Sequence, residues 1–276
     1  MTVYLIGARG RLGRALANEY SDSGVVSLDR SVYEDWSRPF MSDAISRYFD
    51  KCSENDTLFV TSGLLDPGLS QEDLMRVNYH LPKNLVDGAA KLGVRVITFG
   101  TLMEALSSSK NAYVQSKLAL NEYVGTVATI NKPVIHFQMH TLYGVGQPDA
   151  FMFLGQILTA IRNTRVFKMT SGKQLREYHH LADEAKAIRT IVESNSVGVM
   201  DLSHGQPLSL KTIAEGVFQA FGKGSLLDAG ALPEPSEENY TKIFKLSVGL
   251  NQGMFRDSLS GVVDYMKACY KINSEL

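Results

Sequence analysis

The chain has 276 residues, a formal net charge of −1 and 44% apolar side chains. That length carries one large α/β domain with a smaller lobe, and the near-neutral charge excludes a general nucleic-acid or acidic-membrane binder. The apolar runs fall short of a membrane span, Met1-Thr2 leads into VYLI without a basic n-region, and Cys52 and Cys269 have no metal-type spacing, so a cytoplasmic protein with two ordinary thiols is expected.

In chain order, short β-rich runs alternate with helical patterns. VYLI (3–6) precedes RLGRALANEY (11–20), and VVSL (25–28) precedes an amphipathic stretch near 41–51. TLFVT (57–61) precedes a long helical pattern over 72–92, and VRVITF (94–99) leads through a polar SSSKN loop to a helix over 112–129; PVIHFQM (133–139) follows. Apolar runs joined by helices require crossover connections, hence a parallel sheet covered on both faces. This is an α/β chain with a Rossmann-like, doubly wound parallel sheet. Beyond residue 150 the rhythm loosens, with helices at 151–163, 182–194 and 209–221, short strands near 165–169 and 198–202, and an exposed loop at PEPSEEN (233–239). The expected organisation is one domain over 1–150 and a smaller C-terminal α/β lobe over 151–276, with some later segments returning to the first.

The first strand runs into GARGRLG, which places Gly7, Gly10 and Gly13 in a tight turn at a helix start. Glycines let the backbone approach a pyrophosphate, and the helix N-terminus offers free N–H groups and the positive dipole end. The spacing is G-x-x-G-x-x-G, not the common G-x-G-x-x-G. Asp29 ends the second strand, 22 residues after Gly7, where an acid accepts hydrogen bonds from an adenosine ribose. The neighbouring Arg30 is able to receive a 2′-phosphate, so the cofactor is NAD or NADP, with NAD favoured by Asp29.

Tyr113 and Lys117 stand four apart in NAYVQSKLAL. Chance placement of 12 Tyr and 15 Lys gives about 0.65 such matches, and a second match exists at Tyr79 and Lys83. Context separates the two. Residues four apart share a helix face, a free tyrosine ionises near pKa ~10, and an adjacent ammonium lowers that value. Thr101, at the end of the preceding strand, supplies a hydroxyl for a reacting oxygen. Tyr79–Lys83 has Pro82 inside its helix and no such partner, so it reads as a surface pair.

GARGRLG, Thr101 after VITFG, and YVQSK (113–117) resemble the short-chain dehydrogenase/reductase superfamily. RVNYHLPKNLVDGAAKLGV (76–94), LYGVGQ (142–147), REYHHLADEAKAI (176–188) and MDLSHGQPLSLKTIAE (200–215) narrow the resemblance to its extended branch, the NAD-dependent epimerase/dehydratase family of sugar-nucleotide epimerases, dehydratases and reductases. The resemblance covers about residues 1–222, with the motifs in the family's order. It implies catalysis by Tyr113, Lys117 and Thr101, with Lys117 also reaching the nicotinamide ribose. It implies cofactor contacts from Gly7, Arg9, Gly10, Arg11, Leu12, Gly13, Asp29, Arg30, Thr61, Ser62, Gly63, Asn78, Tyr113 and Lys117. Substrate contacts are implied for Thr101, Tyr113, Thr141 and Arg176, the last gripping a nucleotide diphosphate as a guanidinium suits. The segment from Thr101 to Tyr113 is shorter than the family's, which leaves Ser108 or Ser109 as alternatives to Thr101, and the family's Arg and Asn before the Tyr-Gly loop align with Gln138 and Thr141.

Leu102 and Met103 follow Thr101 where the family's dehydratases carry Asp-Glu, and apolar side chains cannot do the acid–base work of water elimination. Met103 also replaces the Cys of the fucose-type epimerase-reductases. What remains is reduction of a 4-keto nucleotide sugar with Tyr113 as proton donor, or 4-epimerisation with tightly bound NAD; a non-catalytic cofactor-binding regulator is the reading from another class. The lobe over 151–276 is the implied substrate lobe, a homodimer through helices 72–92 and 112–129 is implied, with Val114, Leu118, Val124 and Ala128 either on its faces or in ordinary sheet-facing core, and the partner is a nucleotide sugar rather than nucleic acid or membrane. No metal site is expected: His136 and His140 in one strand lie roughly 13 Å apart, His179 and His180 point to opposite faces, and His180 with Asp183 reads as a hydrogen bond at a helix start.

Overall fold

The computed structural model describes residues 1–66, 68–105, 111–129 and 132–272. The chain divides into two compact units, Met1–Met139 with Ala185–Leu202, and His140–Glu184 with Ser203–Leu276. A border drawn at residue 150 falls inside the second unit.

The first unit is built on a six-stranded sheet. Its strands are β1 (Thr2–Ile6), β2 (Gly24–Ser27), β3 (Thr57–Val60), β4 (Arg95–Thr101), β5 (Val134–Met139) and β10 (Gly198–Leu202), in the order β10-β5-β4-β3-β1-β2 and parallel throughout. The central strands β3 and β5 have every residue buried, as expected where helices cover both faces. Edge strand β2 is largely exposed. The helices are α1 (Arg11–Glu19), α2 (Arg30–Tyr33), α3 (Ser42–Tyr48), α4 (Gln71–Met75), α5 (Leu81–Ala89) and α6 (Ala112–Ala128). Ile45 and Phe49, Leu81, Leu85 and Val86, and Leu120 and Val124 pack with Ile6, Leu58, Val60 and Val96 as one core. Phe59, Phe99 and Phe137 stack across β3, β4 and β5, with ring centroids 6.5 and 6.1 Å apart.

The expected helix over 72–92 is not uniform. Between α4 and α5 lies a π turn, Arg76–His80, and the run closes in a 3₁₀ turn, Ala90–Leu92. Pro82 in the first turn of α5 has no N–H to give and crowds the preceding turn, and a π turn widens the helix there. Gly93 then ends the run at φ 86°. The strand over 198–202, read with the later half of the chain, pairs with β5 as the sixth strand.

The second unit carries three small two-stranded sheets. These are β6 (Thr141–Tyr143) with β9 (Tyr178–His180), β7 (Phe167–Met169) with β12 (Leu227–Ala229), and β8 (Leu175–Arg176) with β11 (Leu208–Ser209). Helices α7 (Phe153–Arg162), α9 (Leu210–Ala220) and α10 (Ser258–Ile272) pack Ile157, Ile161, Ile213, Val217, Val262 and Met266 around Phe167 and Tyr178. Helix α8 (Leu181–Glu193) begins in this unit and carries the chain back into the first. No helix among the described residues is long and apolar enough to cross a membrane.

Candidate active site

The glycine turn joins β1 to α1. Gly7 sits at φ 82°, in the left-handed region, and a Cβ there would stand 2.5 Å from the Ser62 backbone nitrogen. A Cβ on Gly13 would stand 2.9 Å from Thr61 Oγ1. Both positions therefore need glycine, because the turn is pressed against the segment after β3, where Thr61, Ser62 and Gly63 lie. Thr61 seals the approach, its N–H and its hydroxyl both donating to Ile6 O at 2.8 Å. Gly10 caps α1 without a side-chain bond, so Arg11, Leu12 and Gly13 present the first-turn N–H groups where the dipole is positive. Asp29 lies two residues past β2 and caps α2, whose first residue is Arg30. Its carboxylate takes a bond from Arg9 at 2.9 Å, and both side chains are exposed.

Asn78 is the polar hinge of the π turn and is 1% exposed. Its amide donates to Leu64 O at 2.9 Å and to Ser116 Oγ at 3.0 Å, and its oxygen accepts the Leu64 N–H at 2.8 Å. It ties the segment after Gly63 to α6.

Helix α6 starts where Asn111 accepts from the backbone of Tyr113 and Val114, an N-cap that fixes the first turn. Lys117 points into the protein, 7% exposed, and its Nζ donates to Phe99 O at 2.8 Å. Burial pulls its pKa down to about 8, opposed by the Glu104 carboxylate. Tyr113 is partly exposed; burial of its phenol, then the Glu104 charge, push its pKa up. The expected lowering of Tyr113 is therefore reversed: its shift is set by desolvation and by the Glu104 carboxylate. Thr101 ends β4, its N–H bonded to Glu104 Oε1 at 2.6 Å. Ser108 and Ser109 lie outside the described residues.

Tyr79 and Lys83 do not act together. Tyr79 packs against the core, and Lys83 pairs with Asp87 at 2.7 Å over the Tyr123 ring. Val114 and Val124 are buried in the monomer, at 5% and 0% exposure, while Leu118 and Ala128 are half-buried. Gln138 is buried near the end of β5.

In the second unit, Thr141 opens β6 with its N–H on Glu177 O at 3.1 Å. Arg176 is ion-paired with Glu238 and donates to Leu175 O at 2.9 Å. The guanidinium expected to grip a diphosphate is thus held by a carboxylate of the acidic loop. Asp183 is bonded bidentately by Arg256, at 2.7 and 2.8 Å, and His180 Nδ1 accepts the Ala182 N–H at 3.2 Å, at the start of α8.

The histidines depart from expectation. His140 lies just past β5 rather than in it, and one ligating atom from each of His140, Glu177 and His179 falls within 4.8 Å of the others. The rings stack rather than converge: His140 and His179 are 1° from parallel, and His179 and His204 are 21° from parallel. Imidazole lone pairs lie in the ring plane, so stacked rings do not aim at one point. His179 instead bridges Glu184 at 2.6 Å and Glu177 at 3.1 Å. Burial alone would lower its pKa; the two carboxylates outweigh that and raise it to about 9. His204 is pushed down to about 4 by burial and the His179 charge. The group is a buried imidazole bridging two carboxylates. Its sequence signal was an acid, Glu177, two residues before a histidine, His179, at the entry to β9.

Residues 3–201 match the family model described as the NAD dependent epimerase/dehydratase family. Among solved structures, a dTDP-4-dehydrorhamnose reductase from Clostridium acetobutylicum aligns at 15% identity and TM-score 0.72, covering 97% of this chain and 99% of that one. A UDP-N-acetylglucosamine 4-epimerase from Methanobrevibacter ruminantium, in complex with UDP-N-acetylmuramic acid, aligns at 15% identity and TM-score 0.76, covering 100% and 99%. A dTDP-glucose 4,6-dehydratase from Bacillus anthracis, in complex with NAD, aligns at 13% identity and TM-score 0.73, covering 100% and 98%. At these identities the likeness is one of fold.

Proposed function

This chain belongs to the NAD dependent epimerase/dehydratase family, and from that premise we propose that it moves hydride between a nicotinamide cofactor and C4 of a nucleotide-linked sugar, as a 4-keto-sugar reductase. The observation that carries the reading is the pair on α6: Tyr113 and Lys117 share a helix face, and Lys117 is buried with its ammonium on the carbonyl two residues before Thr101. The glycine turn, Asp29 and Asn78 belong to the same unit. Bound there, the cofactor supplies the hydride. The pyrophosphate goes to the first turn of α1, the adenosine ribose to Asp29, and the nicotinamide ribose to Lys117. NAD is favoured because Asp29 disfavours a 2′-phosphate.

Reduction of a ketone needs a proton on oxygen as hydride reaches carbon. Tyr113 keeps its proton at neutral pH, since burial and Glu104 push its pKa up, and that phenol is the proton donor of this reading. Thr101 holds the same oxygen by its hydroxyl. Epimerisation, in which Tyr113 acts first as base, is the second reading, with NAD tightly held. Leu102 and Met103 beside Thr101 offer no acid–base group for dehydration. The second unit, with Thr141 and Arg176, takes the nucleotide sugar, and Glu238 must yield Arg176 to the diphosphate. A homodimer through α4–α5 and α6 is part of the reading, with Leu118 and Ala128 as the available apolar positions; light scattering at micromolar concentration checks it, and a monomer refutes it.

The deciding experiment offers 4-keto UDP, GDP, dTDP and CDP sugars with NADH or NADPH and follows the near-ultraviolet absorbance of the reduced cofactor. A reductase consumes one cofactor per product. Inversion at C4 of the corresponding 4-hydroxy nucleotide sugars, offered separately without reduced cofactor and with no net absorbance change, identifies the epimerase, and cofactor binding without turnover of any sugar identifies a regulator.

A further inference from the structure

Glu104 is 6% exposed and lies three residues beyond Thr101. Its Oε1 accepts the Thr101 N–H at 2.6 Å, and its Oε2 contacts His136 Nε2 at 3.1 Å and accepts from Asn121 Nδ2 at 3.2 Å. His136 is fully buried on β5 and places its other ring nitrogen 2.8 Å from Thr98 Oγ1. Gly100 makes room for the pair: a Cβ there would overlap the ends of both Glu104 and His136. A carboxylate buried this deeply costs several kcal/mol unless bonded, and an apolar side chain fills such a place without that cost. The site has been shaped around the charge.

That charge faces the working side of α6. Tyr113, Lys117 and Asn121 follow one another at intervals of four, so they share one helix face, and Asn121 is the residue bonded to Glu104. Among the described residues, the charged and titratable groups facing the carboxylate are His136 from β5 and Tyr113 and Lys117 from α6.

Resting on the reading of Thr101, Tyr113 and Lys117 as the reacting groups, we propose that Glu104 is a positioning residue that fixes Thr101 through its backbone and holds the Tyr113–Lys117 pair as phenol and ammonium. A negative charge favours the ammonium and opposes the phenolate. Among the described residues Glu104 opposes the pull of burial on Lys117, and its charge adds to burial in keeping the proton on Tyr113. The resting pair is thereby a proton donor. His136 and Asn121 hold Glu104 in place.

The test is a titration of the Lys117 amine, read by NMR from 13C-labelled lysine ε-carbons, with the Lys117 signal assigned by its loss in Lys117→Met. The midpoint is expected near 8 in the unmodified protein and about one pH unit lower in Glu104→Gln, with the alkaline limb of any pH–rate profile moving the same way. Glu104→Asp keeps the charge but draws it away from Thr101: the midpoint stays while turnover falls. An unmoved midpoint in Glu104→Gln, or an Asp variant that shifts as far as Gln, overturns the proposal. Should Glu104→Gln not fold, Glu104→Asp carries the test alone, and a lowered midpoint there refutes it. The titration needs no substrate. A midpoint that moves in a protein turning over no nucleotide sugar leaves the charge coupling standing and removes the reductase reading.

Discussion

Lys117→Met should make the protein more stable while stripping it of function. Burial lowers the Lys117 pKa from 10.5 to about 8; at about 1.4 kcal/mol per pH unit, keeping that ammonium in the folded protein costs about 3 kcal/mol near neutral pH. Met has a similar length and no charge. It gives up the bond to Phe99 O, worth about 1 kcal/mol, which leaves a net gain of about 2 kcal/mol. The pH dependence is the signature. Below about pH 8 the folded and unfolded states are both protonated and the penalty is whole. Between about 8 and 10.5 the folded state has released its proton while the unfolded state keeps it, so stability rises with pH and the penalty fades. Urea titrations near pH 7 and near pH 10 should therefore show Lys117→Met ahead by about 2 kcal/mol at the first and level with or behind the parent at the second. A variant less stable than the parent near pH 7, or a difference that does not change with pH, refutes the reasoning.

Three further outcomes are expected. Tyr113→Phe should lose about 10²–10⁴ in kcat while binding NADH nearly as the parent does; full turnover would remove Tyr113 from the chemistry of either reaction. Asp29→Ala should leave the fold intact, since the exposed Arg9–Asp29 pair contributes only about 0–1 kcal/mol, yet weaken NADH relative to NADPH because it also releases Arg9; calorimetry finding NADPH about a hundredfold tighter than NADH (about 2.7 kcal/mol) in the parent would sink the ribose assignment. Arg176→Ala should raise KM for the nucleotide sugar far more than the Kd of the cofactor, and an unchanged KM would take Arg176 out of the site.

The parallel sheet and the glycine turn were legible because they rest on local chemistry: apolar runs four to seven residues long, and a turn whose backbone spacing admits no side chain at Gly7 or Gly13. Asn78 was legible as a position but not as a structure. A helical pattern does not reveal one inserted residue, and Pro82 was the only mark of the π turn that aims the amide. The spacing of Tyr113 and Lys117 put them on one face of α6, but the pKa of Tyr113 was expected to be lowered because spacing along a helix says nothing of desolvation or of Glu104. That carboxylate left a trace, one acid in TLMEAL and one histidine within the otherwise apolar VIHF of β5, two polar residues placed where each requires a partner. The Arg9–Asp29 and Arg176–Glu238 pairs left none, since they join segments 20 and 62 residues apart. β10 reads as an ordinary apolar strand, and no periodicity says which sheet a strand will join.

The position of β10 in the sheet sets an order of events during synthesis. β5 has every residue buried, and one of its two edges is closed only by β10. Residues 140–197 must leave the ribosome before that edge is covered. Until then the nascent chain carries an open, apolar strand edge of the kind that templates pairing with other chains, and closing it is a long-range step that cannot be fast. A truncation after residue 139 would therefore yield an aggregating fragment rather than a free-standing cofactor domain. The boundary of an expressible first domain is not where the first run of strands ends but where the chain has come back.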